Sequence, residues 1–324
     1  MALKLGLLST ARINDMILAG AEATDRVDVV AVAGRDRGRT EAYARSRNIE
    51  RAYGSYDDLL ADPDVDAVYV SLPNSMHVDW SVRALEAGKH VLCEKPLTRR
   101  PEEAQRAFDA AKRSRRTLME AFMYRHNPLT RRIAELVQNG AVGRLRLIHA
   151  WLRWPISDAE DIRLRPELDG GSLMDLGCYC VSAARLLAGE PERLYGEQVV
   201  GPTGAEVAFH GTMRFSGDVV AQFDSSFLLP VQQGLEVVGE DAVLRTSVPF
   251  RPDLGHPQIE LDRAGTIERI EIEERNSYTL QLENLADKAE AKGEPLVGAA
   301  DSIGQARALA RLYEAAKQGR PADW

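Results

Sequence analysis

Lys95 and Tyr179 are the two side chains whose types and surroundings could move a proton and stabilise a developing charge. Lys95 stands in Glu94-Lys95-Pro96, directly after the apolar run 90–93. That run reads as a strand, and a proline holds the residue before it in extended backbone, which aims the lysine off the sheet edge. An ammonium in such a place lowers the pKa of a neighbouring hydroxyl or stabilises alkoxide character. The alternative is an ordinary surface Glu/Lys pair. Tyr179 closes the stretch Gly170-Gly171-Ser172-Leu173-Met174-Asp175-Leu176-Gly177-Cys178-Tyr179. Two glycines open a helix, and Asp175 and Tyr179, four residues apart, share one face. A tyrosine beside a lysine can give or take a proton. Asp175 could bind a substrate hydroxyl or orient Tyr179. A packed amphipathic helix with an accessible phenol is the plainer reading, and the combination with Lys95 favours the chemical one.

The start of the chain suggests what such a pair would work on. Residues 3–13 read as a buried strand, a tight turn at Gly6 and the opening of a helix that runs through Asn14, Met16, Ile17 and Ala19. A strand, a bare turn and a helix N-terminus together hold a pyrophosphate. The G-x-G-x-x-G/A places are Gly6, Leu8 and Ala11, so the middle glycine is missing. The hydroxyls of Ser9 and Thr10 can donate to phosphate in its stead, and an ordinary βα turn is the alternative. The second strand, 28–33, ends at Gly34-Arg35-Asp36. Glycine leaves room there and a guanidinium clamps a 2′-phosphate, so NADP(H) is expected over NAD(H), with NAD(H) possible. Arg37 and Arg39 could assist. The alternative is a solvated Arg35 with Asp36 on the ribose. A third strand, 65–72, ends in Leu72-Pro73-Asn74-Ser75-Met76-His77. Asn74 offers a donor and an acceptor, and His77 either approaches the nicotinamide or caps the next helix. The expected nucleotide contacts are therefore Gly6, Leu8, Ser9, Thr10, Ala11, Arg12 and Ile13; Gly34 and Arg35; Ser71, Leu72, Pro73, Asn74 and His77; and Glu94 with Lys95.

The elements that position these residues follow from periodicity. Up to residue 122 strands alternate with helices, at 39–46, 56–60, 77–87 and 101–113, and a last strand spans 117–122. That pattern implies βαβ units and a doubly wound parallel sheet, an α/β domain over 1–122. Such sheets bind ligands beyond the carboxyl ends of their strands, where Arg35, Asn74 and Lys95 fall. Beyond it, a helix at 128–139 precedes strands at 145–151, 196–200, 205–215, 219–227, 234–238, 242–246, 258–261 and 267–272. Period-two alternation there predicts a large, open, mostly antiparallel sheet with helices on one face, an α+β domain over 123–324. Helices at 278–292 and 302–317 close the chain. With no flexible linker between them, the two domains are expected to be closely joined around a cleft.

The chain has 324 residues, 44% hydrophobic and 28% charged, with a net charge of -8. The acidic balance argues against nucleic acid or an anionic membrane as partner. No apolar run approaches the ~20 residues that span a bilayer, and no secretory signal opens the chain. Three cysteines, Cys93, Cys178 and Cys180, read as reduced thiols of a cytoplasmic protein, and no metal site is expected.

Taken in order, Gly6-x-x-Ser9-Thr10-Ala11, Pro73-Asn74-x-x-His77, Glu94-Lys95-Pro96, Glu120-Ala121-Phe122-Met123-Tyr124-Arg125 and Gly170-Gly171-x-x-x-Asp175-x-Gly177-x-Tyr179 resemble the glucose–fructose oxidoreductase/inositol dehydrogenase/MocA (Gfo/Idh/MocA) family over almost the whole chain. The resemblance implies a Rossmann domain followed by an α+β domain whose last helix packs back on the Rossmann half. Many members carry histidine at the place of Tyr179. Tyrosine there points to the branch that includes glucose–fructose oxidoreductase, NADP-dependent xylose dehydrogenase, dimeric dihydrodiol dehydrogenase and sugar ketoreductases. In that branch Lys95 and Tyr179 would be the catalytic pair, with Asp175 in the substrate site. Arg163 would touch cofactor or substrate, and Tyr124 and Arg125 would line the substrate site. The resemblance further implies a sugar substrate and a homodimer or homotetramer through the open sheet, whose exposed face is expected to be apolar. The expected reaction is hydride transfer at an aldose C1. Reduction of a keto-sugar, oxidation of a trans-diol, and a cofactor-binding regulatory protein without turnover are the alternatives.

Overall fold

The computed structural model describes residues 1–292 and 295–324. The chain forms two compact units, Met1–Met123 with Asn276–Ile303, and Tyr124–Arg275 with Gly304–Trp324.

In the first unit β1 (Leu3–Leu8), β2 (Val27–Ala33), β3 (Arg51–Tyr53), β4 (Ala67–Val70), β5 (His90–Cys93) and β6 (Leu118–Glu120) make one sheet in the order β3-β2-β1-β4-β5-β6. Every pairing is parallel. The crossovers carry α1 (Asn14–Glu22), α2 (Arg37–Ser46), α3 (Tyr56–Leu60), α4 (His77–Glu86) and α5 (Pro101–Ser114), as parallel strands require. Leu5, Leu7, Leu8 and the whole of β4 are buried, because helices cover both faces. Strand order reverses between β1 and β4, which makes their carboxyl ends the natural ligand crevice. Ser55 accepts from the Asp58 amide at the start of α3, and Pro101 opens α5. Strand β3 was not expected, since three residues are too few to show a period.

The turn expected at Gly6 lies further on. Gly6 is inside β1, and the chain turns after Leu8. A Cβ on Gly6 would come within 2.8 Å of the Leu59 side chain. The glycine therefore answers to the helix packed over the strand, not to a bend in it.

The second unit contains α6 (Pro128–Gln138), β7 (Leu145–Arg153), α7 (Cys178–Ala188), β8 (Arg193–Val200), β9 (Glu206–Phe215), β10 (Val219–Ser226), β11 (Gln232–Gly239), β12 (Val243–Thr246), β13 (Gln258–Arg263) and β14 (Thr266–Glu271). With β15 (Ala322–Asp323) these strands form a nine-stranded sheet in the order β14-β13-β12-β11-β7-β10-β9-β8-β15. It is antiparallel apart from the β7–β10 pair.

Two neighbouring rows of paired residues show how the sheet is patterned. One row runs Leu261, Leu244, Val237, Ile148, Ala221, Met213, Leu194, all buried. The next runs Arg269, Glu260, Arg245, Glu236, His149, Gln222, Thr212, Tyr195, all exposed or half-buried. Arg245 pairs with Glu236 at 2.6 Å and Arg269 with Glu260 at 3.0 Å. This row of the open face is laced with charge, while the next one (Asp262, Val243, Val238, Leu147, Val220, Arg214, Arg193) keeps half-buried apolar side chains at its centre, so the face is mixed and only partly apolar as expected.

Asn276–Ile303, which a single division after residue 122 would put in the second domain, packs with the first unit. There α8 (Ser277–Ala289) lies against α1. The Thr279 hydroxyl donates to the Gly20 carbonyl at 2.9 Å, and a Cβ on Gly20 would stand 3.0 Å from the Thr279 amide. The boundary between the units then falls inside α9 (Ala299–Gln318), between Ile303 and Gly304. Among the described residues no helix is long and apolar enough to cross a membrane.

Candidate active site

In the first unit the expected contacts gather at the carboxyl ends of the parallel strands. After β1, Ser9 takes φ 146°, a conformation that favours glycine. Its hydroxyl accepts from the Ala11 amide at 3.0 Å and lies 2.8 Å from the Ser71 hydroxyl, which in turn donates to Asn14 Oδ1 at 2.7 Å. The Asn14 amide group donates back to the Ser9 carbonyl at 2.8 Å. Ser9 and Ser71 therefore hold the turn together, where Ser9 had been expected to donate to phosphate. Leu8 is fully buried and offers a ligand only its backbone. Helical hydrogen bonding starts with the amides of Asn14, Asp15 and Met16 bonded to residues 11–13. The amides of Thr10, Arg12 and Ile13 come before it and are those a pyrophosphate would take.

At the end of β2 a Cβ on Gly34 would stand 2.3 Å from the Thr40 hydroxyl, so nothing larger fits. Arg35 is exposed. It lies close enough to Tyr56 to pull that phenol down against the upward push of burial. Asp36 accepts from the Arg39 amide at 2.9 Å and caps α2. One oxygen of the carboxylate that would compete for a ribose is thereby engaged.

The ends of β4 and β5 are joined by His77. It is 1% exposed. Its Nε2 lies 2.8 Å from the Leu72 carbonyl and its Nδ1 2.9 Å from the Pro96 carbonyl. His77 is thus a clamp between the Pro73-Asn74 turn and the Lys95-Pro96 turn. The Lys95–Pro96 peptide bond is cis. Glu94 and Lys95 are half-buried. Glu94 receives the Tyr69 hydroxyl on one oxygen and the Lys95 amide at 3.2 Å on the other. That excludes a freely solvated surface pair.

In the second unit the glycine-led stretch does not start as a simple α-helix. Leu173–Gly177 forms a π turn that runs into α7, and single π turns recur at functional sites. Gly170 is pressed against the Arg163 carbonyl, 2.5 Å from where its Cβ would be, and Gly171 has φ +125°. Asp175 sits within the π turn and receives Arg163 Nη1 at 3.3 Å. The other edge of the Arg163 guanidinium grips Asp161 at 2.9 and 2.8 Å. These carboxylates hold the Arg163 pKa above its ordinary value, the Asp161 hydrogen bond most of all. Arg163, expected to touch cofactor or substrate, bonds both Asp161 and Asp175.

Tyr179 is 8% exposed. Its ring stands 5.6 Å from those of Tyr124 and Phe250, which are themselves 5.4 Å apart. Tyr124 is 2% exposed and its hydroxyl lies 2.8 Å from the Ser182 hydroxyl, which Arg125 also approaches at 3.4 Å. Tyr124 packs on the Tyr179 ring, and Arg125 reaches the Ser182 hydroxyl that Tyr124 also meets. Phe250 was not found from the sequence, nor was Glu206, which accepts from the Leu173 amide at 2.9 Å. Each is distant along the chain from the motif it serves, and no spacing rule points to it. Among the described residues no group of three or more His, Cys, Asp or Glu could hold a metal ion, and the three cysteines are buried thiols.

Comparison with known proteins agrees with this fold. Residues 5–122 match the family model described as "Oxidoreductase family, NAD-binding Rossmann fold", and residues 130–245 match the GFO/IDH/MocA C-terminal domain. The chain is 37% identical to a D-xylose 1-dehydrogenase (NADP(+)) of Haloferax volcanii over 97% of both chains. Among solved structures it superposes on an aldose–aldose oxidoreductase of Caulobacter crescentus with TM-score 0.93 and 26% identity, each chain covered in full. It superposes on a 3-ketoreductase of Actinomadura kijaniata, complexed with NADP and TDP-benzene, with TM-score 0.91 and 28% identity, covering 97% of this chain and 98% of that one.

Proposed function

The chain belongs to the Gfo/Idh/MocA oxidoreductase family, and we propose that within it the protein is an NADP-dependent sugar dehydrogenase that oxidises an aldose at C1 to the lactone. NADP, when bound, supplies the hydride acceptor. The chain's own residues hold the reactants and manage the proton. Thr10, Arg12 and Ile13 bind the pyrophosphate through their amides, and Arg35 beside Gly34 binds the 2′-phosphate. Asp175, oriented by Arg163, holds a substrate hydroxyl. Tyr179 takes the proton of the reacting hydroxyl, and the Lys95 ammonium favours the phenolate of a group whose ordinary pKa is near 10.

The observation that carries the reading is the state of Tyr179. Its phenol is nearly buried and its ring is fixed by two aromatic neighbours. A carboxylate tied down by an arginine stands on the preceding turn. A merely solvated tyrosine needs none of this. The capped Asp36 beside an exposed Arg35 supports NADP over NAD.

Keto-sugar reduction is the second reading, favoured by the likeness to the 3-ketoreductase. The same groups serve it in reverse, with Tyr179 giving the proton. Initial rates of NADP and NAD reduction on aldoses, polyols and trans-diols, and of NADPH oxidation on keto-sugars, decide among these. Turnover of an aldose with NADP supports the first reading. Turnover of keto-sugars alone replaces it, and no turnover on any of them leaves a cofactor-binding protein without catalysis. Assembly into dimers or tetramers through the open sheet is part of the proposal. The charged row predicts that salt loosens it.

A further inference from the structure

The helix that carries Asp175 and Tyr179 starts without a cap of its own. Ser172 stands at its N-cap position with helical backbone, and its side chain makes no cap hydrogen bond. A helix start leaves amide donors without partners. Here a residue of β9 takes one. Glu206 is 6% exposed, and the Leu173 amide donates to its Oε1 at 2.9 Å and to its Oε2 at 3.2 Å. The Ser172 hydroxyl also donates to Oε1, and the Tyr313 hydroxyl of α9 donates to Oε2 at 3.0 Å. Ser172 stands 3.1 Å from the Ser225 hydroxyl of β10, and that hydroxyl lies 2.9 Å from where a Gly177 Cβ would be. The contacts therefore reach both ends of the π turn. Gly171 fits the same carboxyl, since a Cβ there would stand 2.4 Å from Glu206 Oε2.

We propose that Glu206 is a positioning residue: from β9 it caps the helix that begins at Leu173 and so fixes the turn from which Asp175 and Tyr179 project. The groups bonded to it are the Ser172 hydroxyl and amide, the Leu173 amide and the Tyr313 hydroxyl, none of them a cation. Burial pushes the carboxyl up to about 7, against the downward pull of its hydrogen bonds to Ser172, Leu173 and Tyr313. A turn that opens returns the carboxyl to water and to its ordinary value of 4.5. Opening is therefore hardest while the buried group stays protonated, and becomes easier as pH rises toward 7. Glutamine keeps the shape, still accepts from the Leu173 amide and cannot ionise.

Hydrogen exchange at the amides of residues 171–180, followed from pH 5 to 8 in the full chain, tests this in wild type, Glu206→Ala and Glu206→Gln. The alanine variant is expected to lose at least tenfold in protection. The glutamine variant is expected to match wild type at pH 5 and to exceed it at least tenfold at pH 8. If the alanine variant does not fold, the wild-type and glutamine curves decide alone. In turnover, Glu206→Ala should lower kcat at least tenfold with KM for NADP within twofold, and Glu206→Gln should restore kcat. The kinetic arm rests on the proposed dehydrogenase reading and the exchange arm does not. An inactive wild type would overturn that reading and leave exchange to judge this one. Wild-type and glutamine curves that coincide from pH 5 to 8, or an alanine variant with parental protection or parental kcat, would overturn the proposal.

Discussion

The parallel sheet of the first unit and the nine-stranded sheet of the second support their candidate site residues in different ways. In the first, those residues sit at strand ends, and short-range bonds between neighbouring turns hold them. Ser9 is tied to Ala11 and Ser71, and His77 to Leu72 and Pro96. In the second, Asp175 and Tyr179 ride on a helix fixed by side chains from elsewhere in the unit: Arg163, Phe250, and Glu206 with Tyr313. Strand ends recur at one edge of a parallel sheet whatever the sequence between them, so a nucleotide site built there needs little further support. A helix lying on an open sheet has no such fixed place, and its angle must be set by contacts that are remote in sequence.

The comparison predicts that the first unit governs cofactor binding, the second governs the proton, and Lys95 alone crosses between these roles. The largest effect is expected from Tyr179→Phe. It should lower kcat by ~10²–10⁴-fold, the range for a lost proton transfer, and leave NADP affinity within twofold. Cofactor titration beside steady-state rates checks both halves of that statement, and turnover within a few-fold of the parent removes Tyr179 from the role. Lys95→Ala should lower kcat by ~10²-fold and move the rising limb of the pH–rate profile for aldose oxidation upward, since the phenol loses the charge that eased its ionisation. An unshifted profile would make Lys95 a binding group only. Next comes Arg35→Ala, expected to weaken NADP by ~10-fold and to leave NAD almost unchanged, because one exposed charge-assisted contact to the 2′-phosphate is lost. Equal losses for the two cofactors would contradict the clamp.

The smallest effect concerns stability. The folded Glu206 carboxyl titrates at about 7 against 4.5 in water. A group with a raised folded pKa contributes stability that is complete below 4.5 and is lost as pH rises to about 7. His126 works in the opposite sense. Its pKa is pushed down to about 3, chiefly by burial, so its contribution is lost as pH falls from 6.5 toward 3. Denaturant titrations of wild type against Glu206→Gln isolate the first slope. The difference in unfolding free energy should change by at most roughly 3 kcal/mol across that range. Parallel curves would mean that the carboxyl is not buried as described.

Much of this architecture is legible in the sequence, for physical reasons. Runs such as 67–70 and 91–93 are continuously apolar because helices cover both faces of the parallel sheet. The strands of the second unit alternate because one face meets water. The motifs Pro73-Asn74-x-x-His77 and Glu94-Lys95-Pro96 could be singled out because each lies within one turn. What could not be read is what joins separate turns. Nothing near His77 announces the carbonyl of Pro96, and nothing near Ser172 announces Glu206. Gly6 misled because a glycine required by a packed leucine looks, in one dimension, like a glycine required by a bend. The charged row of the open sheet face could not be read either: Arg245 and Glu236 stand beside each other only once the register of β11 and β12 is fixed.

We propose that Lys95 and Tyr179 act on a single proton. A double-mutant cycle on kcat, with Lys95→Ala, Tyr179→Phe and the two combined, tests it most directly. Groups that work as one predict a double variant hardly slower than the slower single variant. Losses that multiply would show two independent contributions and contradict the account.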